Sequence, residues 1–222
     1  VDEYRSNTKS SILARTIGQS LRIKYTAALA KIESRCKCAG ELQPFLSLAV
    51  VQHPFVATTT SRSKDKDLLL NDWNIHHLHL DIRAHQNHPS FFRRTDDILF
   101  VIFQPNAVYF IDILPHENDV WGSKNLIDVI LNNWPNNCLV HELFGVMRPE
   151  EDFSSADRNY LRKAGIPTGI KMGEKLYIGT EILSEAGTSS RSAHKAANIC
   201  RSARKAAEQI NYNPKFVSSI FF

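Results

Sequence analysis

Two apolar runs in mid-chain narrow the choice of fold most sharply. Residues 98–104 read ILFVIFQ and residues 107–114 read AVYFIDIL, with Pro105-Asn106 between them. β-Branched and aromatic residues suit strands. Two such runs either side of a two-residue break predict a β-hairpin. A hairpin this apolar must be buried, so an antiparallel sheet is expected at the centre of the fold. With 222 residues, 43% of them hydrophobic, the chain can form a core without covalent or metal staples.

The stretch before the hairpin concentrates the chemistry. Residues 73–81 read WNIHHLHLD and hold three of the nine histidines, His76, His77 and His79. On a strand, side chains alternate between faces. Ile75, His77, His79 and Asp81 then share one face, and His76, Leu78 and Leu80 share the other. The connecting stretch adds His85, His88, Arg93, Arg94, Asp96 and Asp97, and the second hairpin strand runs out at Pro115-His116-Glu117.

Three readings of the histidines stay open. His77 and His79 could ligate a divalent ion with Asp81 adding an oxygen. They could instead exchange protons without a metal, since imidazole titrates near neutrality. Or they are hydrogen-bonded structural residues. Arg93 and Arg94 divide in the same way. A guanidinium fork can hold a phosphate, with His116 or Glu117 as the proton-transfer partner; alternatively these arginines form loop salt bridges with Asp96 or Asp97.

Around this centre, apolar spacings of three and four predict a helix over residues 5–35, studded with Arg and Lys. Residues 58–67, TTTSRSKDKD, read as a loop. Gly122-Ser123 opens a helix that Trp134-Pro135 stops, with Ser123 as its cap. A strand is expected within 138–146. Ser154 or Ser155 caps a helix ending near Gly165, and 168–171 with 175–179 form a smaller hairpin around Gly173. A last, cationic helix runs from Arg191 to about Ile210 and includes Arg201 and Arg204. Basic helices at both ends suit either a polyanion or solvent. The expected fold is α+β, a central antiparallel sheet with N-terminal and C-terminal helices. It is one domain, 1–222, with an N-terminal helical segment 1–56 and a basic helical C-terminal appendage 150–222.

Several function classes lack their signatures. There is no Gly-x-x-x-x-Gly-Lys phosphate loop, no Gly-x-Gly-x-x-Gly and no Gly-x-Ser-x-Gly elbow. Cys36, Cys38, Cys138 and Cys200 have no zinc or redox spacing and are expected to be free thiols. No apolar run approaches the ~20 residues that span a bilayer, so a cytoplasmic protein without membrane contact is expected. The net charge of +4 permits anionic partners without requiring them.

The segments IHHLHL (75–80), RRTDDILFVIF (93–103) and VYFIDILPHE (108–117), behind N-terminal helices, resemble the barnase/EndoU/colicin/RelE-type superfamily of metal-independent ribonucleases. Many members of that superfamily are bacterial toxins, some encoded in toxin–antitoxin or phage-defence loci. The resemblance implies cleavage of RNA at a phosphate by the neighbouring 2′-hydroxyl, with no cofactor and with an inhibitor protein as a partner. One of His77, His79 and His116 would then act as base and another as acid, with Arg93 or Arg94 steadying the phosphorane. Asp81, Arg94, Glu117, Arg201 and Arg204 are the expected substrate contacts. A non-catalytic nucleic-acid-binding or regulatory module and a metal-dependent nuclease or phosphoesterase are the alternatives.

Overall fold

A computed structural model describes residues 10–15, 17–38, 40–47, 68–136, 139–144, 152–164, 166–180, 196–205 and 207. The hairpin forms where the sequence places it. β3 (Asp97–Phe103) and β4 (Ala107–Pro115) pair antiparallel, and the Gln104 N–H donates to the Ala107 carbonyl at 2.8 Å. From Ile98 to Phe103 every β3 side chain is buried. This strand is covered on both faces, which explains its unbroken apolar run. The short strand β2 (His76–His79) adds to its free side, again antiparallel.

The other side of the hairpin corrects the expected fold. Residues 10–13 are not helical; Ser10–Leu13 is a strand, β1, and it runs parallel to β4. The sheet is therefore mixed, in the order β1-β4-β3-β2. Helical spacing misleads here because β1 is specified by its neighbour. β4 would otherwise leave a long apolar edge unpaired, and partly buried Ile12 and Leu13 pack on the core from this strand. Helix begins only after Gly18, as α1 (Gln19–Lys24) and α2 (Thr26–Lys37), separated at Tyr25. α2 buries Ala28, Leu29, Ile32 and Cys36, one stripe of a helix.

Many cations of these helices are engaged within the protein. The Arg22 guanidinium donates to the Ala14 carbonyl at 2.8 Å, and Lys24 pairs with Asp97 at 2.7 Å. Lys31 lies over the Phe92 ring, and Arg35 lies near Phe45 and Phe92. They do not form an unoccupied basic track.

A second sheet is the other departure from a single central sheet. β5 (Val140–Leu143), β6 (Ile170–Met172) and β7 (Lys175–Gly179) form an antiparallel sheet in the order β5-β7-β6. The β6–β7 hairpin turns at Gly173, whose φ of 59° favours glycine. The helical elements outside the N-terminal region include α3 (Leu68–Trp73), a 3₁₀ turn (Asn118–Gly122), α4 (Asn125–Asn133) and α5 (Ser155–Lys163). Of the two serines the sequence offers as cap, Ser154 takes the role, in a capping box with Asp157. Ser123 precedes α4 by two positions and accepts from the Asn125 N–H, while Lys124 is the capping position. Gly165 and Cys138 lie outside the described residues, as does the 58–67 stretch.

α5 joins the body through two buried arginines. Arg158 donates to the Gly122 carbonyl at 2.7 Å, and Arg162 pairs with Asp72 at 2.7 Å. The backbones approach too closely for side chains at two points: a Cβ at Gly122 would lie 2.0 Å from the Ser155 carbonyl oxygen, and one at Gly179 2.0 Å from that of Asp72. Among the described residues no helix is long and apolar enough to cross a membrane.

Candidate active site

β2 presents His77 and His79 on one face, as alternation requires. The cross-strand register extends that face through Phe100 and Asp112 beside His77, and through Ile98 beside His79. His116 arrives just beyond β4, and its main-chain N–H donates to the Asp96 carbonyl at 2.6 Å. The three imidazoles meet. Ring centroids are 6.3 Å apart for His77 and His79, 6.5 Å for His77 and His116, and 6.2 Å for His79 and His116. The last pair is stacked, with 16° between the planes. Trp121, on the 3₁₀ turn, sits 5.0 Å from His77 and 5.4 Å from His116.

Burial ranks the three. His79 is 1% exposed and His77 9%, whereas His116 is exposed. The Thr95 N–H donates to His79 Nδ1 at 3.2 Å. Burial, with the charges of His77, Arg94 and His116, pushes the His79 pKa down to about 3. His79 is therefore neutral at physiological pH. Accepting at Nδ1, it carries its proton on Nε2, and among the described residues that buried Nε2 has no hydrogen-bond partner. An unpartnered buried donor costs about 1–3 kcal/mol, so its retention at a cluster of imidazoles marks a functional candidate.

The other expected residues are distributed as follows. His76 points to the opposite face, edge-on to Phe103 at 4.9 Å. His85 and His88 pair with each other at 5.4 Å. Asp81 is engaged locally. Its carboxylate receives the Arg83 guanidinium at 2.6–3.1 Å and the N–H groups of Ile82 and Arg83. The Arg83 bonds, helped by those backbone donors, hold its pKa down at about 2. Arg93 and Arg94 are exposed, and the loop salt bridges weighed for them do not form; Asp97 pairs with Lys24 and accepts from the Tyr25 hydroxyl at 2.6 Å. Glu117 is exposed beside His116. Arg201 and Arg204 lie in a helical segment, 196–205, in which every residue is exposed. Among the described residues no group of three or more His, Cys, Asp or Glu side chains is placed to hold a metal ion.

Sequence reasoning missed Trp121 and the buried arginines behind it. Arg162 donates to the Trp121 carbonyl as well as to Asp72, so it ties the lead-in to β2 to the turn that carries Trp121. A usable signal was the poverty of apolar residues in SADRNYLRK. A helix that must pack with so few of them has to bury the stems of its arginines. An open cleft of about 490 Å³ is lined in part by Lys24, Tyr25, Leu80, Arg94, Thr95 and Asp96; none of the three imidazoles lines it, and Thr95 and Asp96 link it to His79 and His116.

Compared with protein-family models, curated proteins and solved structures, the chain matches none.

Proposed function

We propose that this protein is a metal-independent endoribonuclease of the toxin or defence type, with His77, His79 and His116 as its reaction centre. The observation that carries the reading is the convergence of three imidazoles within 6.5 Å of one another, beside the exposed Arg94. Such a set can supply both halves of acid–base chemistry. A base takes the proton of an RNA 2′-hydroxyl, the 2′-oxygen attacks the adjacent phosphorus, and the bond to the 5′-oxygen breaks as an acid protonates it. The products are a 2′,3′-cyclic phosphate and a 5′-hydroxyl. His116, the exposed ring, is the member that reaches substrate, and His77 is its proton-transfer partner. His79 is the positioning member. With a pKa near 3 it does not serve as an imidazolium acid at neutral pH, and it presents a fixed Nε2–H to the cluster. Arg94 supplies positive charge for the phosphorane. A toxin of this kind requires an inhibitor protein in the cell that makes it.

The test is incubation of the purified protein with a mixed RNA pool, with and without EDTA, alongside His116→Ala and His77→Ala. The expected result is cutting that survives EDTA and is lost in both variants. A second reading draws on the exposed cations of residues 196–205, among them Arg201 and Arg204. No cutting, with salt-sensitive retention of RNA that charge reversal at these two residues abolishes, would favour a non-catalytic binding module. Cutting lost in EDTA would favour a metal-dependent nuclease.

A further inference from the structure

The cleft between the start of α2 and segments 80–83 and 94–96 has the makings of a ligand site. Its volume of about 490 Å³ falls in the ~300–1,000 Å³ range of small-molecule pockets. Buried Ala28 and Leu80 give it an apolar floor, with half-buried Tyr25 alongside. Its cations are not equivalent. Lys24 is neutralised by Asp97 and Arg83 by Asp81. Arg94 is exposed and, among the described residues, stands in no ion pair. One uncommitted guanidinium suits one anionic group, held by its two-pronged fork; it does not suit a run of phosphates.

The wall that carries Arg94 is also bonded to the His79 ring and to the main chain of His116. The next residue, Thr95, donates its N–H to His79 Nδ1, and the one after, Asp96, accepts the His116 N–H on its carbonyl. A group held by Arg94 is thus one residue from the hydrogen bond that seats the His79 ring and two from the main-chain bond that anchors the backbone of His116. The Asp96 carboxylate, exposed on the same wall, is an acceptor suited to a sugar hydroxyl.

From this geometry we infer that the cleft is a mononucleotide subsite. It holds one nucleotide of an RNA strand next to the scissile bond, with the phosphate on Arg94 and the base on the apolar floor. The assignment rests on the ribonuclease reading for its ligand class, but binding tests it without any cleavage.

The experiment is a calorimetric titration of the full chain with adenosine 3′-monophosphate, and separately with inorganic phosphate. Arg94→Ala is the test variant, and Lys37→Ala, at the exposed end of α2, is the control. Loss of one charge-assisted fork should weaken nucleotide binding by roughly tenfold or more in Arg94→Ala and leave Lys37→Ala unchanged. Inorganic phosphate should bind more weakly than the nucleotide. Absence of nucleotide binding, or binding indifferent to Arg94, would overturn the assignment. So would phosphate binding as tightly as the nucleotide, since the floor would then contribute nothing. Arg94-dependent nucleotide binding by a protein that does not cut RNA would uphold the cleft and remove the ribonuclease reading. RNA cutting that needs His116, without Arg94-dependent nucleotide binding, would do the reverse.

Discussion

The Arg162 guanidinium donates through Nε to the Asp72 carboxylate at 2.7 Å, with both side chains buried. A second nitrogen of the same group donates to the Trp121 carbonyl. One side chain on α5 thereby fixes two segments that meet at the histidines. Asp72 lies near the end of α3, a few residues before His77, and Trp121 packs its ring on His77 and His116. Burial raises the Asp72 pKa while Arg162 opposes the rise, which is the balance expected of a desolvated ion pair.

Removing one partner of that pair strands the other. Arg162→Met should destabilise the protein by about 3–5 kcal/mol, and the double variant Arg162→Met/Asp72→Asn should recover part of the loss. Urea denaturation of the three proteins measures this. A single variant as stable as the parent would show that the pair does not anchor α5.

Stability should depend on pH through His79. Its folded pKa, about 3, lies below the ordinary value of 6.5, so between these values the unfolded chain binds the proton and the folded chain does not. The contribution of a neutral His79 is fully present above pH 6.5 and is lost as pH falls toward 3. The limiting slope for one proton is ~1.4 kcal/mol per pH unit. Asp97 and Asp157, whose pKa values are lowered mainly by bonds from Lys24 and Ser154 respectively, also favour the fold at higher pH. The informative quantity is therefore the difference between parent and His79→Gln. Urea midpoints from pH 7 to pH 4 should fall more steeply for the parent, and parallel curves would contradict the assignment.

Gly122 should tolerate no side chain. A Cβ there would sit 2.0 Å from the Ser155 carbonyl oxygen, and the obstacle is backbone, so the 3₁₀ turn and α5 must separate. Gly122→Ala should cost about 1–3 kcal/mol and shift the fluorescence associated with Trp121. Unchanged thermal stability would mean that the two segments are not in close contact.

What could be read beforehand depended on whether the signal was local. The β3–β4 hairpin, the β6–β7 hairpin at Gly173 and the serine cap of α5 are each specified within a few residues; both hairpins form as expected, and of Ser154 and Ser155 it is Ser154 that caps. β1 was missed because its strand state comes from pairing with β4, nearly a hundred residues away, and nothing in SSIL marks that. The shared face of His77 and His79 followed from alternation, and His116 joins them. The depth of that face did not follow, because Trp121 covers it and is itself held by α5. Arg158 and Arg162 look like surface residues until the tertiary fold supplies carbonyls and Asp72 for them. Asp81 could have been read better. An aspartate followed two residues later by arginine has a local partner and a turn to cap, and this one is used that way.

The most direct measurement is end-group analysis of a defined RNA oligonucleotide incubated in EDTA with the parent protein and with His116→Ala. The predicted result is a 2′,3′-cyclic phosphate product from the parent, with the rate falling by roughly 10²–10⁴ in the variant. An intact oligonucleotide, or equal cleavage by both proteins, would contradict the assignment of these histidines as a ribonuclease centre.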